Sequence, residues 1–365
     1  MKLNYRQKLK ELDLPLMVVT LLLLAFGLIA VTSAAYPEGI KYYDDGFYYA
    51  KRHLIFMVLG FIAMYIVYRI PRNFLKKLSF PLFAITIVLV ALLWSPLGVE
   101  RYGQVRWIQF PIINQLQPSD FVKISAVLYL AKILEANRKN IGKTSSFIAI
   151  LAVIGIAVFP ILLKDYSTAL VIGASLGAMY LVGGMKPHQF VTIAGLGAVV
   201  LGVMVFGVDY RRERVMAYFT GSGQLGDNYQ ITQALYAIAM GRINGVGLFQ
   251  SRQKYGNVPF AYNDFIFPII CEEFGLIGAI FLILLFVVLI YRGYVIANKA
   301  TNYFDKYVAV GLTTYLGVQT VFNLGVSTKL FPVTGITLPF ISSGGTALLV
   351  AMVSVGILLR ISKDV

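Results

Sequence analysis

Charge is scarce in this chain. Asp, Glu, Lys and Arg make up 13% of its 365 residues, about half of what an ordinary soluble domain carries. That shortage excludes a water-soluble fold of this length. There is one cysteine, Cys271, so an intrachain disulfide and a cysteine-ligated metal site are excluded. The two histidines, His53 and His188, fall on opposite sides of the topology developed below, which argues against a histidine zinc site. No low-complexity tract interrupts the chain, and no stretch reads as a separate soluble domain.

Apolar residues are abundant instead, at 58%. Runs near 20 residues, enough to cross about 30 Å of hydrocarbon, recur at 15–35, 53–70, 78–97, 119–136, 147–163, 166–183, 189–208, 265–291, 307–327 and 342–360. Helices satisfy their own backbone hydrogen bonds in lipid. The expected fold class is therefore all-α: a polytopic integral membrane helical bundle of about ten transmembrane helices, forming one domain over 1–365. Only Lys164-Asp165 parts the fifth and sixth runs, so a tight turn is expected there. Residues 209–264, between the seventh and eighth runs, read as a large extracytoplasmic loop, too long for a simple connector. Residues 1–14 read as a short basic amphipathic segment along the inner leaflet. The first run is full length and no small-residue cleavage site follows it, so it is expected to be retained.

A net charge of +15 invites a nucleic-acid reading, but its distribution argues against one. With the long loop set aside, lysine and arginine concentrate on the loops that share a side with both termini. This positive-inside pattern places both termini in the cytoplasm. The basic residues there meet anionic membrane lipid, and no nucleic-acid partner is expected.

The most informative stretch is Tyr262-Asn263-Asp264-Phe265-Ile266-Phe267. A carboxylate, Asp264, stands where a polar loop gives way to the apolar run 265–291. An acid held beside lipid yet within reach of water is costly and is a functional candidate by default; the plainer alternative is an interfacial helix cap. Asp120 and Lys123 lie three apart on one helix face and can pair, either as a structural ion pair or as a polar patch near Asp264. On a continuous helix from Asp264, Glu272 would lie about 12 Å deeper and about 80° round, with Glu273 opposite. The three acids then cannot face one site, and at least one glutamate is expected to pair structurally. Pro268 is expected to bend that helix near its outer end. Gly173 and Gly177 suggest a close helix crossing. The run Gly241 to Gly247 is glycine-rich but follows no strand and lies on the outer side, so nucleotide binding is rejected.

The outer side also carries Arg101, Arg106, Arg211, Arg212, Arg214, Arg242, Arg252 and Lys254. Guanidinium groups suit bidentate binding of phosphate oxygens, although such residues also serve as a plain solvated face. One carboxylate among these cations suits glycosyl transfer from a lipid diphosphate. The acid accepts the proton of the attacking sugar hydroxyl. The diphosphate needs cations to hold its charge, so the two-carboxylate arrangement of glycosidases is not required.

Five motifs, in order, cover nearly all of the chain. Gln117-Pro118-Ser119-Asp120-Phe-Val-Lys123 is similar to QPSE-x-x-K. Lys164-Asp165-Tyr-Ser-Thr168-Ala169-Leu170 is similar to PDLGTAL, and Asn228-Tyr229-Gln230 through Gln233 to GYQ-x-x-Q. Asn263 to Phe267 with Glu272-Glu273-x-Gly275 is similar to TDFIF…EE-x-G. Thr334 to Gly345 is similar to TG-x-x-LPFxSYGG. The chain thus resembles the SEDS proteins, the FtsW/RodA/SpoVE family of bacterial cell division, elongation and sporulation. Ser251-Arg-Gln253-Lys254, Lys51-Arg52-His53 and Ser33-Ala34 lean toward the FtsW-like subtype.

The resemblance implies a peptidoglycan glycosyltransferase of the cytoplasmic membrane that polymerises lipid II into a nascent glycan strand on the outer face. It also implies a class B penicillin-binding protein as transpeptidase partner. The family's essential aspartate falls on Asp264. Substrate contacts carry over to Asp120, Lys123, Asp165 and Arg214. Gln230, Gln233, Ser342 and Ser343, inside the matched motifs, are further candidates for substrate binding, as are Arg101, Arg106 and Lys254 from the outer cations read above. Several positions depart from the pattern. Asp120 stands for Glu, Lys164 for Pro, Ser167 for Gly and Ser343 for Tyr. Tyr262-Asn263 stands for His-Thr, Phe260-Ala261 displaces the preceding Glu, and Val105 leaves one arginine where two are common. A lipid II flippase or transporter, or a non-catalytic scaffold for a penicillin-binding protein, is the alternative. No cofactor is certain, and Mg or Mn bound by one or two carboxylates and the substrate is compatible with the chemistry.

Overall fold

The computed structural model describes residues 12–101, 104–109, 116–207, 212 and 225–364. Each of the ten expected apolar runs falls on a helix. In chain order the helices are α1 (Leu14–Ala34), α2 (Tyr36–Tyr43), α3 (Tyr48–Arg69), α4 (Arg72–Ala91), α5 (Pro118–Asn137), α6 (Thr144–Lys164), α7 (Tyr166–Val182), α8 (Pro187–Phe206), α9 (Leu225–Gly241), α10 (Ile266–Lys299), α11 (Tyr303–Ser327) and α12 (Gly345–Ser362). Six are long and apolar enough to cross a membrane, namely α1, α3, the stretch beginning with α4, α6, α10 and α12, and α7 and the start of α8 are shorter apolar helices. The remaining two long ones, α5 and α11, bury their polar groups. Ser119, Asp120, Lys123 and Ser125 lie inside on α5, and Asp305, Gln319, Thr320 and Asn323 on α11. These two helices pack on each other and on α7 and α12. Polar side chains turn inward because hydrocarbon offers them no partner, so the bundle has a polar spine within an apolar shell.

Connections gather at two opposite ends. At one end Asp305 accepts from Arg360 at 3.2 Å and lies 3.7 Å from Arg72, and the Arg138 guanidinium stacks over Tyr303. The expected turn, the 328–344 segment and the loop before α10 meet at the other end. There Asp165 alone separates α6 from α7. A two-stranded antiparallel hairpin also lies there, β1 (Gly98–Arg101) paired with β2 (Gln104–Ile108). The alternation of Val105, Trp107 and their polar neighbours suits a strand, and the hairpin is an addition to the all-helical expectation.

The α10 helix corrects two expectations. It begins at Ile266 with Phe265 at the N-cap, so Asp264 lies outside it and the rotation counted from Asp264 does not apply. Pro268 falls in the first turn, where its missing N–H costs nothing. The break comes at Gly275, with φ 65° and ψ −166°. A Cβ there would sit 2.3 Å from Gly245 N and from Ile243 O, so only glycine fits. The groups freed by the break are satisfied by the segment after α9. Leu276 N–H donates to Arg242 O at 2.9 Å, and Val246 N–H donates to Glu272 O at 2.9 Å. A lipid-embedded helix tolerates a break only where another segment takes up its backbone groups.

The Gly173–Gly177 pair does not form the expected tight crossing. Among the described residues, a Cβ on Gly177 would meet nothing within 4 Å, and one on Gly173 would first meet Val158 at 3.9 Å.

Candidate active site

Gly335 is the centre of the site. Its φ of 68° lies in the left-handed region that side chains disfavour. Arg106 Nη1 donates to its carbonyl at 3.3 Å. A Cβ on Gly335 would stand 3.1 Å from Arg106 Nη1 and 3.5 Å from Asp264 Oδ2. Arg106 and Asp264 therefore border the same glycine. Arg106 reaches it from β2, buried, with Nη2 donating to Thr334 O at 3.3 Å and pairing with Asp165 Oδ1 at 3.1 Å. Asp165 is also the N-cap of α7, accepting from Thr168 N–H at 3.2 Å and the Thr168 hydroxyl at 2.6 Å. Capping and charge pairing thus fix one carboxylate from two sides. The neighbouring Tyr166 hydroxyl donates to Val333 O at 3.1 Å, a second tie from this turn to the same segment.

Asp264 is half-buried, and its backbone is held firmly. Asn323 Nδ2 on α11 donates to Asp264 O at 2.8 Å and to Ile336 O at 2.7 Å. Ser343 N–H donates to Tyr262 O at 2.9 Å. Ser342 Oγ accepts from Leu338 N–H at 2.7 Å and steadies the turn that leads into α12. On α9, Gln230 Nε2 donates to Pro259 O at 2.9 Å, and Gln233 is half-buried. Gln230, Ser342 and Ser343 thus act here on the backbone framing Asp264.

A second network lies along the spine. Lys123 Nζ donates to Asp120 Oδ1 and to Gln319 Oε1, both at 2.9 Å, and faces the Tyr315 ring at 5.3 Å. Asp120 Oδ2 accepts from the Thr346 hydroxyl at 2.7 Å. Gln319 Nε2 donates to Thr337 O at 2.9 Å. Gln319 and Asn323 are four apart and share one face of α11. Through them the Lys123 network and the Asp264 segment meet on consecutive residues, Ile336 and Thr337.

Lys254 belongs to a third, separate cluster. Its ammonium is buried and donates to Glu273 Oε1, Ser33 Oγ and Phe249 O, each at 2.9 Å. All three N–H groups are used, so phosphate could bind only by displacing one acceptor. Glu273 also accepts from Ser33 at 2.6 Å, and Glu272 accepts from Arg252 N–H at 2.8 Å and from the Ser251 hydroxyl. Both glutamates thus lock the 251–254 segment onto α10, which extends the expectation that at least one was structural. The Arg101 side chain, Arg211 and Arg214 lie outside the described residues.

Gln319, Asn323 and Thr346 join the site without having been singled out in the sequence. Their available signal was a polar side chain in or beside an apolar run. Among the described residues no three His, Cys, Asp or Glu come together to hold a metal ion. Asp165 is paired with the Arg106 guanidinium, whose charge opposes a cation beside it. The described residues do not form a cage for Mg or Mn.

Residues 14–365 match the sequence pattern of the FtsW/RodA/SpoVE family, described as cell cycle protein. Stage V sporulation protein E of Bacillus subtilis is 38% identical over 96% of this chain and 97% of its own. A probable peptidoglycan glycosyltransferase FtsW of Geobacter metallireducens is 36% identical over 99% and 98%. Among solved structures, a chain described under structural coordination of polymerization and crosslinking by a peptidoglycan synthase complex superposes with a TM-score of 0.81. It is 26% identical and covers 97% of this chain and 98% of its own. The rod shape determining protein RodA of Thermus thermophilus shares the fold, with a TM-score of 0.72 at 23% identity over 97% of each chain. With a family match over almost the whole length, the chain is a multi-pass membrane protein of the FtsW/RodA/SpoVE family.

Proposed function

We propose that this chain is an FtsW-like peptidoglycan glycosyltransferase that polymerises lipid II at the outer face of the bacterial cytoplasmic membrane, with both termini inside. The observation that carries the reading is a half-buried carboxylate, Asp264, beside a buried arginine at Gly335, at the end of the bundle where the polar motifs gather. The acceptor sugar hydroxyl attacks the anomeric carbon of the lipid-linked donor. Asp264 takes the hydroxyl proton as the new C–O bond forms. The bond from that carbon to the diphosphate breaks, and the lipid diphosphate leaves with both electrons of the bond. Arg106 keeps positive charge beside the reacting end, and Lys123, Arg101 and Arg214 are the further cations assigned to the diphosphate.

Arg106 and Lys123 are already paired with Asp165 and Asp120. Substrate phosphates would share these cations with the carboxylates, which would otherwise hold two buried charges ready for an anion. Gln230, Ser342 and Ser343 frame the loop around the acid, Gln233 is assigned to the substrate, and Lys254 supports the segment behind. A class B penicillin-binding protein is the proposed partner, crosslinking the strand that this chain extends.

Purified Asp264→Asn in a lipid II polymerisation assay tests the reading. A folded variant is expected to make no glycan strands, and strands of normal length and yield would refute it. The same assay separates enzyme from flippase or scaffold, because neither of those roles forms a glycosidic bond.

A further inference from the structure

The chain from Pro332 to Leu338 has no regular secondary structure, yet its backbone is held at every step between Val333 and Thr337. These consecutive carbonyls each accept from a side chain. Val333 O takes the Tyr166 hydroxyl at 3.1 Å. Thr334 O and Gly335 O take Arg106 Nη2 and Nη1, both at 3.3 Å. Ile336 O takes Asn323 Nδ2 at 2.7 Å, and Thr337 O takes Gln319 Nε2 at 2.9 Å. In a strand such acceptors would meet the backbone donors of a neighbouring strand. Here the donors stand on α7, β2 and α11, so side chains set the place of this strap.

Two of these donors close a ring. Arg106 Nη2 pairs with Asp165 Oδ1 at 3.1 Å and donates to Thr334 O. Thr334 follows Val333 in the chain, Val333 O accepts from Tyr166, and Tyr166 follows Asp165. The ring thus runs from Asp165 through Arg106, Thr334, Val333 and Tyr166, and returns to Asp165 by a peptide bond. Asp165 fixes the guanidinium, and Tyr166 fixes the strap that the guanidinium bonds. Tyr166 is itself anchored, because it is the first residue of α7 and Asp165 caps that helix at Thr168. Gly335 lies two residues beyond Val333, where a Cβ would stand 3.1 Å from Arg106 Nη1 and 3.5 Å from Asp264 Oδ2. A shift of the strap at Val333 is therefore passed within two residues to the glycine beside the candidate base. Asn323 and Gln319 hold the strap beyond Gly335, and on the near side only Arg106 and Tyr166 supply the side-chain donors named above.

We propose that Tyr166 is a positioning residue for the glycosyl transfer. Its hydroxyl holds the Val333 end of the strap and so keeps Gly335 seated against Arg106 and beside Asp264 while the sugars react. The inference rests on the glycosyltransferase reading. Removing the hydroxyl leaves every charged group present, so it lowers turnover more than substrate affinity.

The experiment is lipid II polymerisation by the purified full-length chain as wild type, Asp264→Asn, Tyr166→Phe, and with 4-aminophenylalanine at position 166. Tyr166→Phe is expected to lose about tenfold in kcat, since small misplacements of a reacting group have effects of that order or larger, with KM within about twofold. The amino ring returns an N–H donor to the same place and is expected to restore most of the loss. Wild-type turnover in Tyr166→Phe, a loss carried by KM, or an amino ring no better than phenylalanine would overturn the proposal. Should Tyr166→Phe fail to fold, 4-methoxyphenylalanine at position 166 keeps the oxygen and removes the donor. Reduced kcat then supports the role, and unchanged kcat overturns it. An inactive wild type or a fully active Asp264→Asn defeats the polymerase reading and this inference with it. An active wild type, a dead Asp264→Asn and an untouched Tyr166→Phe defeat this inference alone.

Discussion

Asn323 holds Asp264 from behind. One carboxamide nitrogen donates to the Asp264 carbonyl at 2.8 Å and to the Ile336 carbonyl at 2.7 Å, so the candidate base and the Gly335 segment are tied to one point on α11. The arrangement gives the acid a fixed backbone, although the chain around it has no regular secondary structure. A loop residue positioned by a rigid helix is a common way to place a reacting group.

Asn323→Leu removes both hydrogen bonds and leaves two buried carbonyls without that donor, a loss of about 2–4 kcal/mol in stability. Displacement of Asp264 by about 1 Å is expected to lower turnover about 100-fold. Thermal unfolding and polymerisation measured on the same preparation check this. A variant with reduced stability and wild-type turnover would show that Asn323 serves folding alone.

Gly335→Ala is expected to fold but to lose about tenfold or more in activity. A residue at φ 68° pays about 1–2 kcal/mol for the left-handed conformation. Its Cβ would press on Arg106 Nη1, 3.1 Å away. The guanidinium must then shift, loosening its 3.1 Å pairing with Asp165. Polymerisation rate against membrane expression level is the measurement.

Lys123→Met leaves Asp120 buried without its cation and is expected to destabilise by about 3–5 kcal/mol. Asp120→Asn/Lys123→Met removes both charges and is expected to recover most of that stability while remaining inactive. A double variant that recovers activity as well would assign the pair to structure only. Unfolding midpoints and polymer yields across the cycle give the answer.

Glu38 makes stability depend on pH in a definite direction. Its folded-state pKa lies above the ordinary value of 4.5, chiefly because of burial. The folded chain therefore holds that proton more tightly than the unfolded chain does. The contribution is full below pH 4.5 and is lost as pH rises through the folded pKa. The unfolding temperature of the wild type, relative to that of Glu38→Gln, is expected to fall across that window. A constant difference between the two would contradict the raised pKa.

Much of the site was legible in the sequence because its residues violate their surroundings. Asp264 at the edge of an apolar run, and Asp120 with Lys123 one turn apart, stand out by local cost alone. Lys164-Asp165 stood out as the only break between two apolar runs. The amides did not, because Gln319 and Asn323 carry no charge and their apolar neighbours mask them.

The sequence by itself determined the helical membrane bundle, since hydrophobicity over about 20 residues is a local property that lipid reads directly. It also determined that an acid stands at the boundary. Tertiary structure decided what each acid does. Glu272 and Glu273 are saturated by Ser251, Arg252 N–H, Lys254 and Ser33, whereas Asp264 is brought to Arg106 at Gly335. It also placed the helix break at Gly275, where the 242–247 segment takes up the backbone groups, and not at the nearby proline. A carboxylate's charge is written in its own residue, but the donors that surround it come from segments tens to hundreds of positions away, and only folding brings them into contact.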